Sequence, residues 1–360
     1  MPTLIDQINV KHLKELFVRG DWGHLPSLEA ADDTRRIAAV LAIPGGNNVT
    51  KPLITHLRHV AIAAPDLDRQ LAFYRDQWGL THTDSDTGVH FLAAEGSPEQ
   101  YVLRLRKADA KRLDLVAFGA ARAEDVDALA ADLAGRGVQL VHEPRKLDTP
   151  GGGYGFRFFD GDGRVVEVSS DVTTRGFRSI DQRESIPVRL SHFVVNSDNP
   201  ERTVAWYVEY LGFKLSDTLC LGARGDFMWF LRCNDWHHSF AVSRGPHVAV
   251  NHISFEMRGV DEYLRGTGRL LRDGIQKVWG PGRHKAGDNT FSYFMDKAGN
   301  CVEYTTELET VDWDHHHPSV YDVTTPDHID QWGTANLMNE FVAKQMHNDP
   351  DRGVFVAPPL

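Results

Sequence analysis

Leu57–Thr83, LRHVAIAAPDLDRQLAFYRDQWGLTHT, and Leu190–Ser216, LSHFVVNSDNPERTVAWYVEYLGFKLS, are two copies of one pattern. In each, a short apolar strand runs into a turn with Asp and Pro, then an amphipathic helix, then a Gly-containing step into another strand. His59 falls on His192, and Phe73-Tyr74 on Trp206-Tyr207. Internal repeats fix an architecture before any single element does. A second pair follows: FRFFDGDGRVVEVSSD from Phe156 and SYFMDKAGNCVEYTTE from Ser292, which set Glu167 on Glu303. A third sets LDLVAFGA from Leu113 against VNHISFEM from Val250, with Leu115 in the place of His252.

Each half therefore divides again into two units of strand, helix and several strands. The helices read DLDRQLAFYRDQW, AEDVDALAADLAGRG, NPERTVAWYVEYLG and VDEYLRGTGRLLRDG; acidic or Asn residues open them and Gly closes them. The strands are short, rich in Val, Phe and Tyr, and bounded by Gly and Asp turns. The expected fold is α+β, four βαβββ modules paired into two domains. Its divisions are an N-terminal helical extension at 1–55, a metal-free domain at 56–172, a metal-bearing domain at 187–310, and a tail at 311–360 near the mouth of the site. The extension reads as two helices, about Leu4–Arg19 and Ser27–Ala42, and the tail as one near Thr334–His347.

Composition excludes several classes. The 360 residues are 41% hydrophobic and 25% charged, the mix of an ordinary globular chain. No window approaches the roughly 18 consecutive apolar residues of a membrane span. Asp6, Lys11 and Glu15 interrupt what would be the apolar region of a signal peptide. A net charge of −11 with no concentrated basic face argues against nucleic acid. Cys220, Cys233 and Cys301 are too few for a disulfide framework, so a reducing cytoplasm is the expected location.

The 18 histidines say where to look for chemistry. A lone His on a strand is more often packed or solvated than ligating, but the repeat changes that balance. His192, His252 and Glu303 each sit on a strand of the second half, and two imidazoles with one carboxylate make the facial triad of non-haem Fe(II) oxygenases. The first half keeps His59 and Glu167 but has Leu115 for the third ligand, so it is expected to hold no metal. The His315–Pro318 run, HHHP, does not read as a second site, because adjacent histidines on a tail cannot readily face one ion.

The stretches LSHFVVN, HHSFAV, VNHISFE and GPGRHKAGDNTFSYFMDKAGNCVEYTTE resemble the type I extradiol ring-cleavage dioxygenases of the vicinal oxygen chelate (glyoxalase–bleomycin resistance) superfamily. The resemblance covers about residues 57–310. It implies modules paired into open barrels, with His192, His252 and Glu303 holding Fe(II) or Mn(II). His238, 14 residues before the second ligand, falls on the family's acid–base histidine, with His237 beside it; Tyr293, ten before the glutamate, falls on its active-site tyrosine. His284, Arg283 and Trp229 are implied substrate neighbours, and Val194, where some members have Asn, leaves a more apolar O2 pocket.

The activity so implied inserts both atoms of O2 into a substituted catechol, cleaving the ring beside the diol. His238 would take the second diol proton and Tyr293 would donate to the developing oxyanion. The partners would be a small aromatic diol, O2 and further copies of the chain, with a tetramer expected, and no nucleic acid or membrane. Arg283, His284 and the tail suggest a carboxylated or otherwise polar ring substituent, with Trp313 and Trp332 helping to close the mouth. Ring cleavage of a hydroquinone and ligand binding without turnover remain alternatives; a glyoxalase-like isomerase, with ligands shared between modules, is argued against by Leu115 in the half that keeps His59.

Overall fold

Alternating Val, Phe and Tyr on short strands, punctuated by capped helices, assemble into two mixed sheets. The computed structural model describes residues 53–359 apart from 87 and 177; the two expected N-terminal helices lie outside these residues. The first half runs β1 (Ile54–Ala64), α1 (Leu67–Ala72), β2 (Thr81–Asp86), β3 (Val89–Ala93), β4 (Leu103–Lys107), then β5 (Arg112–Ala120), α2 (Ala123–Gly135), β6 (Leu140–Lys146), β7 (Tyr154–Phe159) and β8 (Val165–Ser170). The second half repeats it as β9 (Arg189–Ser197), α3 (Pro200–Leu211), β10 (Lys214–Cys220), β11 (Asp226–Arg232), β12 (Phe240–Arg244), then β13 (Ala249–Glu256), α4 (Gly259–Arg272), β14 (Lys277–Arg283), β15 (Thr290–Met295) and β16 (Cys301–Thr305).

The strand orders are β2-β3-β4-β1-β5-β8-β7-β6 and β14-β15-β16-β13-β9-β12-β11-β10-β17, where β17 is Ser319–Asp322. In each sheet the first strands of the two modules pair antiparallel at the centre, β1 with β5 and β9 with β13. Each first strand also pairs parallel with its own module's last strand. This is the α+β arrangement of paired βαβββ modules that the repeat implies.

Local signals explain the matching helices. Asp66 and Asn199 each accept a hydrogen bond from the backbone N–H three residues on, which satisfies one orphan donor of the first turn. Gly79 and Gly212 sit at positive φ, 94° and 71°, where they turn the chain into the next strand. The first helix departs from its copy: after Ala72 the chain widens into a π-helical turn over Phe73–Trp78. The helices also tie the halves together. Tyr74 donates to Asp296 at 3.0 Å, and Tyr207 donates to Asp160 at 3.0 Å, so each half caps a turn of the other.

The tail adds strand β17 (Ser319–Asp322), parallel to β10, and helices α5 (Pro326–Ile329) and α6 (Glu340–His347). α6 begins six residues later than the expected Thr334 start. Asn339 caps it, its side chain accepting from Val342 N, while Thr334 and Asn336 bond to Pro281 and Val278 carbonyls instead of continuing a helix.

Candidate metal centre

The centre of the second sheet sets three side chains on one face. β9, β13 and β16 are neighbours, and Ser254 lies opposite both His192 and Glu303 in register. Ser254 is small, so the longer side chains converge above it. His192 Nε2 lies 2.9 Å from Glu303 Oε2, and His252 Nε2 lies 3.5 Å from that oxygen and 3.3 Å from His192 Nε2. Among the described residues this is the group with metal-ligand spacing, its donor atoms all within 4.8 Å of one another.

The donor set fits a divalent ion. Donors at right angles on one ion, each about 2.1 Å away, stand about 3 Å apart, close to the separations seen. Both Glu303 oxygens are buried with no well-aligned hydrogen-bond donor and no guanidinium or ammonium beside them, a costly state for a carboxylate that a cation relieves. Burial raises the Glu303 pKa, and the neighbouring imidazoles and the Ser254 and Tyr293 hydroxyls only partly oppose it. Burial lowers both His192 and His252 to about 3, so each is the neutral ligand form at neutral pH. Asn251 Oδ1 accepts from His252 Nδ1 at 2.7 Å, which leaves Nε2 as the coordinating atom. Asn251 donates in turn to Asn196 (2.9 Å), and Asn196 donates to the Met346 and His347 carbonyls of α6. The tail thus supports a ligand from behind.

Other sequence-derived residues gather here. The His238 ring stands 4.3 Å from that of His192, and burial holds it well below its ordinary pKa. Tyr293 lies 5.1 Å, ring to ring, from His252. His284 Nδ1 faces the Ile329 carbonyl at 3.1 Å and must donate to it, so Nε2 is an acceptor and Tyr293 O–H donates to it at 3.0 Å. Val194 joins Leu219, Phe230, Ala241, Ala286 and Val323 in an apolar cluster beside the site.

Two expected pocket residues lie elsewhere. Trp229 points into the main core, while the next residue, Phe230, places its ring 4.8 Å from His238. Strand alternation makes this an either-or choice, and Phe230 is the residue that sequence reasoning missed. Arg283 does not offer a free charge: its guanidinium binds Asp288 (2.9 and 3.1 Å) and Glu307 (2.7 Å). Arg283 is therefore not a free cation for a charged ring substituent. Trp313 is buried against Lys214 and Arg232, and Trp332 lies beside Arg283. His315 pairs with Asp312, and His316 with the Ser216 carbonyl, so the HHHP run does not converge on one point.

Paired βαβββ modules carrying one buried two-His, one-carboxylate centre define a metal-dependent member of the vicinal oxygen chelate class. Residues 56–168 and 189–304 both match the family described as the Glyoxalase/Bleomycin resistance protein/Dioxygenase superfamily, and the chain belongs to it. It is 27% identical to Metapyrocatechase 2 of Cupriavidus necator, over 84% of this chain and 94% of that protein. It is 25% identical to the manganese-dependent 2,3-dihydroxybiphenyl 1,2-dioxygenase of Geobacillus genomosp. 3, over 73% and 91%. Among solved structures, the Mn(II)-bound glyoxalase from Novosphingobium aromaticivorans superposes with a TM-score of 0.78 at 42% identity, covering 84% of this chain and 98% of that one. No helix among the described residues is long and apolar enough to cross a membrane.

Proposed function

We propose that the chain is an extradiol dioxygenase that opens a catechol ring beside the diol, using Fe(II) or Mn(II) held by His192, His252 and Glu303. One observation carries the reading: the buried triad, its carboxylate without a guanidinium or ammonium partner, occurs in the half that also brings His238 and Tyr293 to the same spot. The relatives named as catechol-type dioxygenases support the reaction class. Either ion suits two imidazoles and a carboxylate, and Fe(II) is the one proposed.

When bound, the metal acidifies a coordinated hydroxyl and passes electron density between the organic substrate and O2. The chain's residues do the rest. His238 takes the proton of the second diol hydroxyl and later returns it to oxygen. Tyr293, held by His284, supplies a hydrogen bond where negative charge develops. Val194, Phe230 and their apolar neighbours keep water out, which strengthens each polar contact inside.

The apolar cluster and the paired Arg283 together favour catechol itself or a catechol with an uncharged alkyl or aryl substituent over a carboxylated one. The proposed location is the cytoplasm, and the proposed assembly is a homo-oligomer.

The test is anaerobic loading with Fe(II) or Mn(II), then a diol, then O2. O2 uptake with a yellow ring-opened product from catechol or alkyl catechols is the expected result. Uptake only with a hydroquinone, or isomerisation of a hemithioacetal without O2 uptake, would overturn the catechol reading.

A further inference from the structure

His237 and His238 follow one another in the loop between β11 and β12, and both are buried. Only His238 reaches the metal centre; His237 turns away from it, toward β10. His237 Nε2 lies 2.8 Å from Asp217 Oδ2, and His237 Nδ1 lies 2.9 Å from His238 Nδ1. These contacts form a chain of three side chains leading away from the site.

The chemistry of the acceptor sets the direction of that chain. A carboxylate has no proton to give, so His237 carries its proton on Nε2. A neutral imidazole protonated there presents a lone pair at Nδ1. His238 Nδ1 then donates to that lone pair, which leaves His238 Nε2 without a proton. Among the described residues none hydrogen-bonds His238 Nε2, the ring atom left to meet a substrate.

Asp217 is itself fixed. A shift of register between Leu215 and Asp217 re-aims this part of β10, and the backbone N–H of Ser319 on β17 donates to Asp217 Oδ1 at 2.7 Å. His316 stands farther off, at 3.9 Å from the same oxygen. The backbone N–H of His237 donates to the Glu309 carbonyl at 2.8 Å, so the outer and middle members of the chain are both anchored by the segment after β16.

We propose that Asp217 and His237 are positioning residues that hold His238 in the tautomer with a bare Nε2, ready to receive the diol proton. The inference rests on the dioxygenase reading above. In the step it serves, the diol O–H bond breaks and a His238 Nε2–H bond forms, with no other group consumed. The opposite arrangement, a proton already on Nε2, would close this route before substrate arrives. The first half has no such chain, since Tyr101 stands against His59 where His238 stands against His192.

The test uses the full chain labelled with 15N-histidine and loaded with diamagnetic Zn(II). Long-range proton–nitrogen correlation reads each ring, and H237Q and H238Q assign the two signals. The expected pattern is protonated Nδ1 and bare Nε2 for His238, with the reverse for His237. A proton on His238 Nε2 would overturn the proposal. In the Fe(II)- or Mn(II)-loaded enzyme, Asp217→Asn is expected to lower kcat about 10- to 100-fold. Its KM for the diol should stay within about threefold and its metal content should be unchanged, a split that a merely structural residue would not give. Asp217→Glu is expected to recover most of kcat. A D217N enzyme with kcat within about twofold of the parent would overturn the proposal equally. The tautomer readout needs no turnover, so a chain that opens no diol defeats the dioxygenase reading while the tautomer question is still decided.

Discussion

The two halves share a scaffold and answer one electrostatic problem differently. Each buries a glutamate beside a histidine at the centre of its sheet. In the first half, Arg157 lies opposite Glu167 in register and donates to it at 2.7 Å. In the second, Tyr293 lies opposite Glu303 in the same way. Burial pushes Glu167 up, but Arg157 and the other cationic neighbours outweigh it and hold the carboxyl below its usual range; Glu303, with no guanidinium beside it, is raised. The lesson is that a guanidinium in one copy does what the proposed divalent ion would do in the other. Leu115 for His252 and Tyr101 for His238 complete the contrast: one half is a self-neutralised core, the other the proposed metal centre.

The largest effect should come from making the second half like the first. His252→Leu leaves two ligands, and ring cleavage is expected to fall by about 10³-fold or more, since a bound metal supplies several kcal/mol of transition-state stabilisation. Metal analysis and O2 uptake check it; retained metal with full turnover would break the comparison.

Next comes Arg157→Met. It leaves Glu167 buried without its partner, and a loss of about 3–5 kcal/mol in stability is expected from denaturant unfolding. The matching change, Tyr293→Phe, should leave stability within about 1 kcal/mol of the parent, because a hydroxyl and not a charge is removed. Its kcat should fall about 10²-fold. Equal stability losses at the two positions would say that Arg157 is not serving as the cation.

A smaller, graded effect is expected with pH. His59, His192 and His252 are each lowered to about 3, in every case chiefly by burial. Unfolded, they take up protons below about pH 6.5, whereas the folded protein refuses them until near 3. The unfolded state therefore binds more protons across that window, and stability is lost as pH falls. The Tm of metal-free protein should drop from pH 7 to pH 5, and His59→Gln should flatten the slope without changing metal affinity. A flat Tm would show that these imidazoles are not held neutral.

Much of this was readable before any coordinates. The repeat gives four modules, and His192, His252 and Glu303 stand out because one copy keeps three candidate ligands where the other has Leu115 in place of one. Arg157 was open to the same reading, lying as far before Glu167 as Tyr293 does before Glu303, but charge compensation shows itself only when a side chain is seen paired. The face taken by Trp229 or Phe230 was not legible. Register shifts within β10 and β11 break the alternation, so counting along the strand cannot choose between neighbours. Arg283 was misread because Asp288, in the loop between β14 and β15, and Glu307, just after β16, meet it only in the folded chain. Asp217 lies 20 residues from His237, a separation that no local pattern joins.

The central claim, one ion per chain and only in the second half, is tested most directly by anomalous diffraction from crystals loaded with Fe(II) or Mn(II). The expected result is a single strong peak per chain, in contact with His192 Nε2, His252 Nε2 and a Glu303 carboxylate oxygen. A peak between His59 and Glu167, or none at His192, His252 and Glu303, would contradict it.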